Sequence, residues 1–121
     1  GGVPRLDGSW GDCDPNHPKN YRTRCSLLVQ QTGEGGQTSV LIDTSPDMRA
    51  QLIDAKTTWL DAILYSHDHA DQTHGIDDVR AMVYARRKQI EVWMDQATAT
   101  RSRRGLIIAF IKGKALYIQL S

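Results

Sequence analysis

Strand-like and helix-like segments alternate along the first 95 residues of the chain, and this alternation predicts an α/β layered fold. Short β-rich runs are separated by a glycine-bearing turn, and a later apolar run suits a strand that is buried on both faces. The chain has 121 residues, of which 40% are hydrophobic and 24% charged, which is typical of one globular domain. We therefore expect a single domain over residues 1–121.

The predicted sheet begins with a β-hairpin. CSLLVQQ at residues 25–31 and TSVLIDT at residues 38–44 are β-rich, and the turn TGEGGQ separates them. A short helix is predicted next, in SPDMRAQLIDA, because Ser45 is a suitable N-cap and because Met48 and Leu52 fall on one helical face.

The remaining elements follow from periodicity and composition. TWLDAILYSH has the continuous apolar centre of a buried strand, GIDDVRAMVYARR has apolar residues at helical spacing, and QIEVWMD predicts another strand. The C-terminal LIIAFIKGKALYIQLS predicts a second hairpin. Residues 1–24 are rich in Gly, Pro, Asp and Arg without periodicity, so we expect an extended loop there.

Three of the four histidines lie in YSHDHADQTHG, directly after the buried strand. In an extended segment His67 and His69 project to the same side, and Asp71 follows at the next alternate position. A strand that delivers imidazole and carboxylate groups together at the rim of a sheet is suited to hold a divalent metal ion. We therefore predict that His67, His69 and Asp71 converge at the end of this strand.

The segment SHDHADQTHG resembles the H-x-H-x-D-H metal motif of the metallo-β-lactamase superfamily. GGVPR, CDPNHPKNYRTRCSLLV, LIDTSPDMR and HGIDDVR resemble its branch related to phosphoribosyl cyclic phosphate phosphodiesterase. The resemblance implies the N-terminal half of an αββα sandwich, followed by the C-terminal hairpin, and a pair of zinc or manganese ions. It also implies that His67 and His69 bind the first metal and that Asp71, our candidate catalytic residue, binds the second.

Two departures from that pattern affect the predicted site. Gln72 stands where the family has a histidine, and an amide is a weak neutral ligand, although its oxygen suits a hard ion. His74 is the nearest substitute. The later histidine and aspartate ligands of the family have no counterpart after Gln96, so the ligand set is incomplete and we expect the metal to bind weakly.

Other candidate residues have two interpretations each. Asp43 is a partner for a ligating histidine or a cap for the helix that begins near Ser45. Cys13, His17 and Cys25 suggest part of a structural zinc site, but they contain no C-x-x-C pair and we favour ordinary loop and core roles.

Charge and cysteine content bear on partners and location. Residues 96–121 contain five basic residues and no acidic one, which we interpret as a solvated basic segment rather than a nucleic-acid site. No apolar run is long enough to cross a bilayer, no signal peptide is recognisable, and two cysteines demand no disulfide framework. We therefore expect a cytoplasmic protein without a membrane partner.

Two functions from different classes are consistent with the sequence. The first is a metal-dependent hydrolase, phosphodiesterase-like by resemblance, that acts on a small phosphoester-type substrate. The second is a catalytically impaired half-domain that serves as an oligomeric or binding module. We expect self-association in either case, because half of a sandwich leaves a sheet edge and apolar surface uncovered.

Overall fold

The computed structural model describes residues 1–102, and it contains one four-stranded sheet with helices between and after its strands. The strands are β1 (Leu27–Gly33), β2 (Gly36–Ile42), β3 (Ala62–Leu64) and β4 (Glu91–Trp93). The helices are α1 (Met48–Asp54), α2 (Ala70–Thr73), α3 (Val79–Arg86) and α4 (Gln96–Ser102). Pro18–Asn20 and Ile76–Asp78 form 3₁₀ turns. The predicted C-terminal hairpin lies outside the described residues.

The sheet has the strand order β1-β2-β3-β4, with an antiparallel hairpin followed by two parallel pairings. Gly33 pairs with Gly36, so the hairpin turn is shorter than the predicted TGEGGQ loop. Gly36 has a φ of +117°, which a residue with a side chain rarely adopts. Ile63 of β3 lies between Leu41 of β2 and Val92 of β4, and this central row explains why the third strand is apolar throughout.

The core forms where the sequence placed apolar residues at strand or helix spacing. Met48 and Leu52 of α1 are both buried, as their shared helical face predicted. The other buried apolar residues come from the sheet and from the segments that cover it: Leu41, Leu60, Ile63, Tyr65, Ile76, Val79, Met94 and Ala99. No helix among residues 1–102 has the length and apolar character needed to span a bilayer.

Helix α1 begins at Met48, three residues after the predicted N-cap. Ser45 is fully buried, its hydroxyl donates to Gln51 Oε1 at 2.7 Å, and it accepts the backbone N–H of Asp47 at 3.1 Å. Ser45 thus organises the turn before the helix instead of capping it. The Asp47 carboxylate accepts the backbone N–H of Arg24 at 2.7 Å, which ties the N-terminal loop to α1.

Residues 1–24 form a loop, as expected, and a few backbone contacts hold it in place. Val3 and Arg22 exchange two backbone hydrogen bonds of 2.8 and 2.9 Å. Gln51 of α1 donates to the carbonyl oxygen of Arg24 at 2.6 Å. The Val3–Arg22 pair closes the loop on itself, and the Gln51 bond attaches it to α1, so these contacts hold a segment whose one short helical turn is Pro18–Asn20 among the described residues.

Helix α4 occupies residues that we predicted to be a solvated segment. Its alternating small and polar residues lack an apolar period, but Asp95 precedes it and accepts the backbone N–H of Thr98 at 2.6 Å. That is the hydrogen bond of an N-capping aspartate. This backbone hydrogen bond holds the pKa of Asp95 below its ordinary value. An aspartate just before a polar run was the available signal for this helix.

Candidate functional site

The histidine-bearing loop leaves the sheet at the carboxyl end of β3, between two parallel neighbours. Tyr65 continues the sheet pairing by donating its backbone N–H to the carbonyl oxygen of Trp93 at 2.8 Å. The Tyr65 side chain is buried, its hydroxyl lies 2.8 Å from Thr44 Oγ1, and burial raises the pKa of the phenol. The loop therefore starts from a fixed point at the edge where open α/β sheets bind their ligands.

His67 and His69 lie side by side in this loop. Their ring centroids are 4.5 Å apart and their ring planes meet at 76°, an edge-to-face arrangement. His67 is half-buried and His69 is exposed. The two imidazoles are thus together at the end of β3, as the alternate spacing of an extended segment predicted.

A chain of hydrogen bonds from Asp43 through Ser66 determines the tautomer of His67. Ser66 donates its backbone N–H to Asp43 Oδ1 at 2.8 Å and its hydroxyl to Asp43 Oδ2 at 2.6 Å. The same hydroxyl lies 2.8 Å from His67 Nδ1. Since the one hydroxyl proton goes to the carboxylate, Ser66 Oγ must accept a proton from Nδ1. Nε2 of neutral His67 then keeps its lone pair available to a ligand.

Asp43 is placed for this role by an unusual backbone conformation. It has a φ of +62°, in the left-handed region, and its backbone N–H donates to the carbonyl oxygen of Leu64 at 2.8 Å. Its two carboxylate oxygens accept from Ser66, so of our two interpretations the structure supports the partner of a histidine and not the helix cap. Asp43 acts on His67 through Ser66 rather than by direct contact.

The segment after β2 holds the helix that follows the histidines. Thr44 donates its backbone N–H to the carbonyl oxygen of Gln72 at 2.7 Å, and its hydroxyl lies 3.2 Å from the carbonyl oxygens of Gln72 and Thr73. Gly75 donates its backbone N–H to the carbonyl oxygen of Thr44 at 3.0 Å. A Cβ on Gly75 would lie 2.0 Å from the carbonyl oxygen of Ser45, so only glycine fits there.

The predicted convergence of His67, His69 and Asp71 on one volume does not occur in the structure. No group of three or more His, Cys, Asp or Glu residues within residues 1–102 is arranged to hold a metal ion. The prediction assumed an extended chain through Asp71, but α2 begins at Ala70 and turns the next side chains by about 100° per residue. Asp71 lies exposed in the first turn of α2, and His74 is the exposed residue at its C-terminal end.

Gln72 has a feature that the sequence did not reveal. Its side-chain oxygen, Oε1, is buried, and no hydrogen-bond donor in the described part of the chain contacts it. A buried polar atom without a partner costs free energy, which makes it a candidate contact for a bound group.

Asp68, which lies between the two histidines, forms an ion pair with Arg101 of α4. The hydrogen bond from Arg101 lowers the pKa of Asp68, so this carboxylate is ionised at neutral pH. This contact joins two segments that are 33 residues apart. The sequence could not predict it because α4 itself was not predicted.

The cysteines do not form a metal site in the described residues. Cys13 and Cys25 are free thiols, and His17 Nδ1 accepts the backbone N–H of Lys19 at 3.3 Å. The ordinary roles that we favoured for these residues stay a prediction.

The residues around His67 fit a divalent metal ion in their donor chemistry. Two adjacent imidazoles, one with a lone pair oriented by Ser66, are ligands that zinc and manganese accept. A carboxylate at Asp71 and an unpartnered amide oxygen at Gln72 follow in the next turn. The structure brings the two imidazoles together, and among residues 1–102 no third His, Cys, Asp or Glu joins them in a group arranged to hold a metal ion.

Comparisons with known proteins agree with the fold. The family model described as "Beta-lactamase superfamily domain" matches residues 38–120. A solved structure described as "Crystal Structure of a New Diphosphatase from the PhnP Family" superposes with a TM-score of 0.77 at 29% identity, covering 99% of this chain and 46% of that one. An "Octanoyltransferase" from Porphyromonas gingivalis (strain ATCC BAA-308 / W83) is 35% identical over 111 residues.

That alignment covers 92% of this chain and 22% of the transferase, so the chain spans about a fifth of one relative and less than half of the other. The likeness to a PhnP-family structure confirms the predicted α/β fold of metallo-β-lactamase type and the branch that the N-terminal motifs resembled. Because the family model matches more than half of the 121 residues of this chain, the chain belongs to the β-lactamase superfamily.

Proposed function

We propose that this chain is part of a metal-dependent hydrolase that cleaves phosphodiester or diphosphate bonds. The observation that carries the proposal is the pair of adjacent imidazoles of His67 and His69, with His67 oriented by the Asp43 and Ser66 hydrogen bonds. Membership of the superfamily and the likeness to a structure named as a diphosphatase support the substrate class. A zinc or manganese ion is the cofactor that we propose.

His67 and His69 would hold this ion, and Asp71 and Gln72 are the next donors along the chain. A divalent ion bound there would lower the pKa of water and polarise the phosphoryl group of the substrate. Ser66 Oγ accepts the Nδ1–H of His67, which leaves Nε2 without a proton and fixes the ring orientation. Thr44 and Gly75 anchor α2 and thereby position Asp71, our candidate catalytic residue.

The Porphyromonas relative is named as an octanoyltransferase, but the alignment with this chain covers only 22% of its length. Because the chain covers only this small part of the transferase, we do not extend octanoyl transfer to it, and we propose phosphoester hydrolysis as the activity of the matched part.

Elemental analysis followed by an activity assay tests the proposal. We expect purified protein to retain up to two equivalents of metal, and we expect manganese or zinc to stimulate slow hydrolysis of bis-p-nitrophenyl phosphate. His67→Ala and His69→Ala should abolish both metal retention and stimulation. His17→Ala is the matched control, because His17 is exposed and its Nδ1 accepts a hydrogen bond from Lys19 in the N-terminal loop. Metal retention that survives both substitutions would refute the assigned site.

One observation favours a second function, that of a catalytically impaired module. No three-donor group is arranged for a metal within residues 1–102, and a two-ligand site holds an ion weakly. In that case we expect no retained metal and a stable oligomer in light scattering. Two equivalents of metal and full stimulation would exclude the impaired module.

The remaining expectations about partners and location are proposals of the same kind. We propose a homo-oligomer, because β1 is an edge strand whose Leu27 and Val29 side chains are exposed. We propose a cytoplasmic location, with which the free thiols of Cys13 and Cys25 are compatible. We propose no nucleic-acid partner.

A further inference from the structure

A polar cavity lies at the amino-terminal end of β3, and the histidines follow the opposite end of this strand. It has a volume of about 190 Å³ and is formed by the segment that enters β3, by β2 and by the end of α3. Asp61, which lines it, directly precedes β3, whereas His67 follows the other end of the same strand. The cavity is therefore separate from the candidate metal site.

Positively charged side chains gather around the indole of Trp59 at this cavity. The Arg86 guanidinium carbon lies 5.0 Å from the ring centroid, and the Lys88 ammonium nitrogen lies 5.7 Å from it. Both distances are within the range of cation–π attraction, so the half-buried ring holds two cations beside the opening. Lys56 adds a third positive charge to the cavity wall.

None of these three cations is neutralised within the described residues. The charged groups of Lys56, Arg86 and Lys88 form neither an ion pair nor a hydrogen bond with another residue of 1–102. One acid, Asp61, lies in the wall, and its Oδ2 accepts the backbone N–H of Ser39 at 2.8 Å. Lys56 and Arg86 outnumber this carboxylate, so the cavity wall carries a net positive charge.

The backbone at Lys56 is held in a conformation that lysine rarely adopts. Lys56 has a φ of +53° just after the end of α1, where glycine is the usual residue. Arg87, beside the cavity residue Arg86, has a φ of +50°. Attraction to the carbonyl ends of α1 and α3 accounts for cations near each helix end. This attraction does not explain why Lys56 and Arg86, from two different helix ends, line the same polar cavity. It also does not explain why a lysine stands at a left-handed position that usually carries glycine.

We propose that this cavity binds a phosphate group, either free or as the monoester of a small molecule. The cavity is smaller than the sites that hold drug-sized ligands, which span roughly 300–1,000 Å³, so it suits a single compact anion. Lys56 and Arg86 supply charge-assisted donors, and the hydroxyl of Thr58 lines the same wall. The cation–π contact with Trp59 holds the Arg86 guanidinium beside the cavity.

Isothermal titration calorimetry at low ionic strength tests the proposal, because salt screens exposed charges. Metal-free protein is titrated with inorganic phosphate in one arm and with glycerol phosphate in the other. We expect saturable binding with a dissociation constant of about 1 mM or below in at least one arm. Arg86→Gln should weaken it about tenfold, as the loss of one charge-assisted hydrogen bond implies. His67→Ala should leave it unchanged.

Lys56→Gly separates binding from folding. Glycine relieves the left-handed backbone, so the melting temperature should stay or rise while phosphate binding weakens about tenfold. Arg49→Gln is the control, since Arg49 is an exposed cation of α1 outside the cavity. The absence of saturable binding in both arms would overturn the proposal. Equal weakening by Arg49→Gln, or unchanged binding in Arg86→Gln, would also overturn it.

Discussion

Gly75 packs against the carbonyl oxygen of Ser45 so closely that a Cβ would lie 2.0 Å from that oxygen. The Gly75 N–H also donates to Thr44, so the contact joins the end of β2 to the segment after the histidine loop. We predict that Gly75→Ala destabilises the protein by about 1–3 kcal/mol or more, because backbone on both sides must move. Chemical denaturation measures the change.

Gly35→Ala is the matched control for this substitution. A Cβ at Gly35 meets no atom within 4 Å, and Gly35 lies in the hairpin turn. We expect the control to unfold as the wild type does. An unchanged unfolding free energy for Gly75→Ala would contradict the close packing of α2 on the Thr44 segment.

If His67 holds the metal ion that we propose, removal of the Ser66 hydroxyl should weaken its binding. Ser66→Ala eliminates the acceptor of the Nδ1 proton, so the ring gains a second tautomer and a freer orientation. We expect metal affinity to fall about 10- to 100-fold, the usual effect of losing an outer partner of a metal ligand. Competition with a chromogenic chelator measures it.

Ser66→Thr tests whether the hydroxyl itself is responsible, since threonine keeps the donor and acceptor. We expect it to restore most of the affinity, and we expect Thr38→Ala, an exposed substitution on β2, to have no effect. Equal affinity of Ser66→Ala and the wild type would show that the hydrogen-bonded chain from Asp43 does not act on the site.

Much of the fold was predictable because its elements carry strong local signals. The hairpin has β-rich strands around a glycine turn, and α1 has Met48 and Leu52 at helical spacing. The observed start of α1 differs from the predicted one where a tertiary contact overrides local propensity. Ser45 lies outside α1, and its carbonyl oxygen packs against Gly75, a residue far from it in the chain.

The candidate site was predictable in its histidines and not in their surroundings. His67 and His69 follow a buried strand, which is visible in the sequence. Asp71 was misplaced because nothing in the spacing shows that a helix begins at Ala70. Ser66 and Arg101 were missed because an ordinary serine and an arginine in a polar run gain their roles only from partners elsewhere, Asp43 and Asp68.

The capping of α4 by Asp95 should make its stability depend on pH. The hydrogen bond from Thr98 lowers the pKa of Asp95, so its stabilising effect is fully present above the ordinary aspartate value of 3.8. The effect is lost as the pH falls through the lowered pKa. We expect Asp95→Ala to lower the melting temperature at neutral pH, and we expect this difference to shrink in acid.

Asp95→Asn separates the charge from the hydrogen bond. Asparagine caps helices about as well as aspartate but does not titrate, so this variant should keep its cap at every pH. Thermal melts of the three proteins across the acid range decide the matter. A constant difference between wild type and Asp95→Ala down to strong acid would mean that the carboxylate charge contributes nothing.

Substitution of Gln72 by histidine should increase zinc affinity. The Gln72 oxygen is buried and has no partner in the described residues, and it follows His69 by three positions. An imidazole is a far better zinc ligand than a neutral amide, so Gln72→His should tighten zinc binding more than manganese binding. Gln72→Leu, which has no metal-binding atom in its side chain, is the control and should leave zinc affinity at or below that of the wild type. Chelator competition with both metals gives the comparison. Equal zinc affinity of Gln72→His and Gln72→Leu would show that this side chain does not face the ion that we propose for His67 and His69.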